Sequence, residues 1–285
     1  MPPLKIHVWG GLGSQLFAVA LAADLKLKYP KREIRIVLHT GGVTFRVPEV
    51  VELFPEWDYE YVSDFEVSLH GPLKSKINRF PSIRHRLAEL AKRFAIATRI
   101  LANCNDDFQY SQIRFWTLAC RGHYSHRLIA DSFYDMFANA LRVPDDNHVK
   151  GFSHFIGIHY RLGDLLTLEQ KSPVPTESIL SECERVMKAR DLDSLVIFSD
   201  SPEIARGAFD VLRYSNITTP NFNTVGVISS AIFSDYFLGT SSKVSFWVAA
   251  MRSKKFMLES SLPSSNQAQM KRMLGQAVNL VHFYD

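Results

Sequence analysis

The chain has 285 residues, 46% hydrophobic and 22% charged, with a formal net charge of +4 at pH 7. That composition excludes extended disorder, and the length suits one large α/β domain or two of ordinary size. The charge is too mild for a nucleic-acid binder but fits a polyanionic small ligand. The three widely spaced cysteines, Cys104, Cys120 and Cys183, make neither a zinc ligand set nor a disulfide framework and suit a reducing cytoplasm.

In chain order, Met1-Pro2-Pro3-Leu4-Lys5 enters a strand directly, without a basic region and apolar run ahead of it. No apolar stretch is long enough to span a bilayer, so a cytoplasmic location is expected, with any membrane contact made from the surface. Ile6-His7-Val8-Trp9 predicts a strand and Gly10-Gly11-Leu12-Gly13 a tight loop. Ser14 or Gln15 then opens a helix that ends near Tyr29-Pro30, because a helix rarely continues into proline. Residues 34–38 form the next strand, completing a βαβ unit with a glycine turn. A dinucleotide fingerprint fails here: Leu16 stands where the third glycine belongs, and the second strand ends in Leu38-His39 without an acid for a ribose. What remains is either a loop of backbone N–H groups beside a helix N-terminus, suited to an anion or sugar hydroxyl, or a glycine turn needed only for packing.

Residues 72–99 carry Lys74, Lys76, Arg79, Arg84, Arg86, Lys92, Arg93 and Arg99 against Glu89. Ile83, Leu87, Leu90, Phe94, Ala97 and Leu101 recur at helical spacing, which predicts an amphipathic helix with a basic polar face. Such a helix either meets anionic membrane or a lipid diphosphate through residues 74–99, or packs its apolar stripe on the N-terminal domain. Residues 119–124 lead into a helix over about 126–141. Val143-Pro144-Asp145-Asp146-Asn147 is the best linker, so a boundary is expected after Asp146.

His154-Phe155-Ile156-Gly157-Ile158 predicts a buried strand that stops on His159-Tyr160-Arg161-Leu162-Gly163-Asp164. Ligands collect at the carboxyl ends of strands in open α/β sheets. There, the planar guanidinium of Arg161 can bridge two phosphate oxygens. The plainer reading is a strand-to-loop junction with a surface Arg–Asp pair. Pro175-Thr176 starts a helix to about Arg190. Residues 195–198 form a strand ending in Ser199-Asp200-Ser201-Pro202, and a helix follows from Glu203. Residues 225–228 lead into another helix. Tyr236-Phe237-Leu238 is a strand before Gly239-Thr240-Ser241-Ser242, followed by a helix over 245–250, a strand over 255–258 and a last helix over about 265–274. This alternation predicts a parallel, doubly wound sheet. His159 with Arg161, Ser199 with Asp200, and Ser241 with Ser242 then share one sheet edge, as a nucleotide-diphosphate pocket requires. Each also has a plain role: Ser242 or Ser245 as an N-cap, Asp200 as a turn former.

Gly10 through Phe17 resembles the G-G-L-G-N-Q-L-F opening of the bacterial α-1,2-fucosyltransferases, glycosyltransferase family 11. His159 through Asp164 resembles their H-x-R-R-G-D motif, shared in looser form with α-1,6- and protein O-fucosyltransferases. Phe198-Ser199-Asp200 resembles F-S-D-D, Ser241 through Trp247 is similar to N-S-S-F-S-W-W, and Gly122-His123-Tyr124 sits where G-Y-x-Q-S is expected. The order holds over nearly the whole chain.

The resemblance implies an α/β GT-B fold, two Rossmann-like domains facing a central cleft. Residues 1–146 would be the acceptor side and 147–285 the donor-binding domain, with the last helix packing back on the first. It implies inverting, metal-independent and cofactor-free transfer of L-fucose from GDP-fucose to a glycan hydroxyl. The setting would be surface-polysaccharide synthesis by a bacterial cytoplasmic enzyme; contact with the inner face of the plasma membrane is one of the two uses of residues 74–99 given above. Arg161 would stabilise the departing GDP. A preorganised cation is then the main electrostatic lever, worth ~3 kcal/mol or ~100-fold in rate. His159, Ser241, Ser242 and Ser245 would line the donor site together with Gly11, Gly13, Ser14 and Gln15. Asp200 would contact the nucleoside, and Asp164 would hold the loop or sugar or act as the base. Leu162 replaces the second Arg of the motif, Ser14 replaces Asn, and Ser242-Lys243-Val244 replaces S-S-F. These departures keep two alternatives open: a GT-B transferase with another nucleotide-sugar donor, and a catalytically silent sugar-nucleotide or glycan-binding protein.

Overall fold

The computed structural model describes residues 2–41, 47–63, 83–104, 113–125, 127–141, 154–166, 173–210 and 216–285; the side chains of residues 83–89, 164 and 166 lie outside that description. The chain divides into two compact units, Met1–Arg127 and Leu128–Asp285, each built on a parallel sheet.

In the first unit the described strands are β1 (Leu4–Trp9), β2 (Ile34–His39), β3 (Asp58–Val62), β4 (Leu101–Cys104) and β5 (Ala119–Gly122), in the order β3-β2-β1-β5-β4. β1 buries Leu4, Ile6 and Val8 on one face and leaves Lys5, His7 and Trp9 half-buried on the other, the period-two pattern of a strand. Helix α1 (Leu12–Lys28) packs on β1 and β2. It starts two residues ahead of the expected Ser14, because Gly11 takes the extended N-cap conformation, and ends before Tyr29-Pro30 as the proline requires. A short α2 (Val50–Leu53) and the basic α3 (Ile83–Ala97) complete the described helices of this unit.

The second unit has the strand order β11-β10-β9-β6-β7-β8, all parallel. Its elements are α4 (Asp131–Ala140), β6 (Ile156–His159), α5 (Thr176–Arg190), β7 (Ser194–Phe198), α6 (Pro202–Phe209), β8 (Asn216–Thr218), α7 (Thr224–Ile232), β9 (Tyr236–Gly239), α8 (Lys243–Met251), β10 (Ser260–Pro263), α9 (Gln267–Leu274) and β11 (Val281–Tyr284). Every residue of β6 and β9 is buried, as a parallel sheet covered on both faces demands. Ile158, Ile179, Cys183, Ile197, Phe209 and Leu238 form the centre of its core.

Three expectations shift. First, the division falls after Arg127 and not after Asp146. The helix expected from about residue 126 starts at Asp131, and it belongs to the second unit because Phe133, Tyr134 and Phe137 gather round Trp247 of α8 at 5.4, 6.3 and 5.9 Å. The proline-containing linker lies outside the described residues. Second, residues 255–258 are not a strand. α8 runs on into a π-helical turn, Arg252–Phe256, and the strand position is taken by β10. The cause is Arg252, which is fully buried and donates to the carbonyls of Ala231, Ile232, Ser234, Asp235 and Glu259. Third, α9 buries Met270, Met273 and Leu274 and packs on α8, within the second unit.

Candidate functional site

The carboxyl ends of three strands of the second unit stand level, with His159 in register with Phe198 of β7 and Gly239 of β9. The motif loop leaving β6 is fastened from both sides. Toward β7, Tyr160 N–H donates to the Phe198 carbonyl at 2.9 Å, and the N–H groups of Leu162 and Gly163 both donate to Asp200 Oδ1 at 2.9 Å. Toward β9, Arg161 N–H donates to Thr240 Oγ1 at 3.1 Å, while the Thr240 hydroxyl donates to the His159 carbonyl at 3.0 Å. Glycine is required at position 163, because a Cβ there would lie 2.1 Å from Asp200 Oδ2. The half-buried Arg161 side chain is therefore carried on a backbone held by two neighbouring strand ends. Asp164 lies in the 3-10 turn Gly163–Leu166, and its side chain falls outside the described atoms.

His159 is 9% exposed, and its Nδ1 lies 2.7 Å from Ser245 Oγ. Burial pushes its pKa down to about 4; the Asp200 carboxylate pulls the other way and the Arg161 charge reinforces the fall. The ring is neutral at physiological pH. Ser245 is fully buried, so its hydroxyl addresses His159 and is closed to a ligand. Ser242 caps α8, its Oγ accepting from Val244 N–H at 3.1 Å. Ser241 is exposed, with Oγ accepting from Asn266 Nδ2 at 3.0 Å. Gly239 lets α8 approach the sheet, since a Cβ there would stand 2.8 Å from Ser245 Cβ.

One sheet edge thus brings together His159, Arg161, Asp200, Ser241, Ser242 and Ser245. Asp200, assigned by the sequence reading to a nucleoside, spends one oxygen on the loop, the task given there to Asp164. Thr240 was not singled out. The signal for it was a β-branched hydroxyl residue directly after a fully apolar strand.

In the first unit, Gly10 has φ 102°, in the region that favours glycine, and forms the turn into α1. Gln15 is buried: Nε2 donates to the carbonyls of Gly10 and Val47 at 3.1 and 2.9 Å, and Oε1 accepts from Val50 N–H at 3.1 Å. Gln15 therefore shapes the loop from beneath. Gly13 is also buried and Ser14 is half-buried. Beside Gly11, at the N-terminus of α1, a Cβ would meet nothing within 4 Å. The sequence reading missed a cluster at the carboxyl ends of β1 and β2. His7 Nδ1 lies 2.9 Å from His39 Nε2, and Trp9 stacks on His39 at 4.1 Å. Burial, with Arg121 the next cause, holds the His7 pKa down to about 3. The signal was His7 and Trp9 alternating onto one face. Among the described residues, no three His, Cys, Asp or Glu side chains converge on a point a metal ion could take.

A glycosyltransferase of family 9 from Veillonella parvula DSM 2008 is similar to this chain over 98% of its length and 86% of its own, with a TM-score of 0.50 and 14% identity. POFUT1 in complex with GDP matches over 91% of this chain and 97% of its own, at 0.47 and 11% identity. NodZ α-1,6-fucosyltransferase soaked with GDP-fucose matches over 87% and 92%, at 0.44 and 12% identity. No protein-family model and no curated protein sequence matches the chain. At these identities the likeness is one of fold. Two parallel-sheet α/β units in one chain, similar over nearly its whole length to a solved glycosyltransferase, are the GT-B class of architecture.

Proposed function

We propose that the protein is an inverting, metal-independent glycosyltransferase that moves L-fucose from GDP-fucose to a glycan hydroxyl, in the manner of an α-1,2-fucosyltransferase building surface polysaccharide. The observation that carries this reading is the motif loop clamped between Asp200 and Thr240, which presents Arg161 at the ligand-collecting edge of a parallel sheet. Breaking the sugar–phosphate bond builds negative charge on the β-phosphate. A guanidinium fixed before the reaction begins stabilises that charge without reorganising, an effect worth ~3 kcal/mol. With the Ser245 hydroxyl donating to Nδ1, neutral His159 carries its proton on Nε2 and donates it in a hydrogen bond to a phosphate oxygen. Ser241, Ser242 and the capped N-terminus of α8 supply further donors. Asp200 serves the reaction by holding the loop.

The donor assignment rests on the motif resemblance, and Leu162 and Ser14 favour keeping one rival, a GT-B transferase with a different nucleotide sugar. Hydrolysis of a panel of nucleotide sugars needs no acceptor and separates the two. GDP-fucose is the donor turned over, and UDP-sugars are not; turnover of a UDP-sugar in preference to GDP-fucose overturns the assignment.

A further inference from the structure

We infer that the amino-terminal edge of the first unit's sheet is a surface that docks on an anionic lipid bilayer. This inference stands apart from the transferase reading. The sequence left two uses for α3, and of its apolar stripe Leu90 is 60% and Phe94 67% exposed. Just beyond α3, the chain enters β4 past exposed Ile100, and the turn into β5 exposes Phe115, Trp116 and Leu118. These residues form one surface. Trp116 Nε1 donates to the Thr98 carbonyl at 3.1 Å, Thr117 Oγ1 to the Arg99 carbonyl at 2.8 Å, and Leu118 N–H to the Ile100 carbonyl at 2.8 Å. The Phe115 and Trp116 rings meet edge to face at 4.9 Å. Surface apolar residues are ordinarily scattered singly; a gathered group marks a binding face.

The rim decides the occupant. Arg99 and Arg114 are exposed within the same turns. Lys28 and Lys31, exposed at the end of α1, join this edge, since Tyr29 OH donates to the Ile113 carbonyl and Arg32 to that of Thr117. Of the acids at this edge, Glu33 and Asp58 are both paired with Arg35, and exposed Glu56 lies ahead of β3, across the sheet from the turn that carries Trp116. Aromatic side chains with Lys28, Lys31, Arg99 and Arg114 about them match the headgroup boundary of an anionic leaflet. A protein partner would fit the apolar patch, but protein interfaces are depleted in Lys, which this rim carries at positions 28 and 31. Among the described residues no helix is long and apolar enough to cross a membrane, so the contact is peripheral.

Vesicle flotation of the full chain tests this, with phosphatidylcholine vesicles and with vesicles containing about 30% phosphatidylglycerol. The protein should float with the anionic vesicles and stay behind with the neutral ones. F115S/W116S should lower partitioning by about ten-fold or more, and K31E/R114E by about five-fold per charge, with circular dichroism and melting unchanged. Absence of flotation, equal flotation on neutral vesicles, or variants that float like the parent each overturn the inference. So does a concentration-dependent dimer in sedimentation that F115S/W116S abolishes without flotation, which would assign the surface to a second copy. None of these readouts depends on donor turnover.

Discussion

A carboxylate can serve a site by charge or by geometry, and Asp200 is placed for the second. Its Oδ1 accepts from two adjacent amides and sets the path of the chain that presents Arg161. Asp200→Asn keeps an acceptor oxygen there and should retain most donor turnover. Asp200→Ala removes the acceptor and should lose ~10–100-fold, the cost of a misplaced cation and two unpaired N–H groups. Steady-state kinetics of the pair distinguishes the roles, because a charge-dependent nucleoside contact would damage both variants alike. His159 makes a separate prediction. Its ordinary value is 6.5 and its folded value about 4, so the unfolded chain takes up the proton first. Stability from this group is complete above about 6.5, is lost as pH falls toward about 4, and levels off below. His159→Asn should flatten that part of the acid limb in urea unfolding; an unchanged limb would mean that the ring is already charged when folded.

At the scale of elements, what was legible followed from period and punctuation. The strands of 194–198 and 236–239 are continuous apolar runs, α5 starts beside Pro175, and α1 ends ahead of Pro30. What was hidden depends on partners far along the chain. β10 is Ser-Ser-Leu-Pro, polar by composition, yet Ser260 and Ser261 are fully buried because Arg252, Tyr236 and Glu182 satisfy their hydroxyls. The apolar-looking run at 255–258 competes for the strand position and loses, since Arg252 holds the preceding residues in a helical turn. Burial pushes the Arg252 pKa down to about 9, against the upward pull of Tyr236 and Asp235, and backbone carbonyls stabilise the charge. Arg252→Ala strips the donors from those buried carbonyls and should destabilise the second unit by about 3–5 kcal/mol in denaturant unfolding. A loss under about 1 kcal/mol would show that the turn is held by something else.

For the whole molecule, the α/β class and two-unit organisation were readable from the alternation of strands and helices, whereas the point of division was not. A linker reading weighs polarity and proline, but α4 is allotted by the aromatic contacts it makes with Trp247, which no local pattern encodes. The motif residues were legible as a set because they punctuate strand ends; their division of labour was not, since backbone amides carry no sequence signature. Asp200 and Gln15 read as ligand contacts in a motif, and the structure adds that each bonds the backbone of its own loop. The proposed function rests on one cation, Arg161, on the loop that Asp200 and Thr240 hold. The most direct measurement is the rate of GDP-fucose hydrolysis by the parent chain and by Arg161→Ala, with folding checked by circular dichroism. The parent should turn the donor over and the variant should lose about 100-fold in kcat. A variant as fast as the parent would contradict the account.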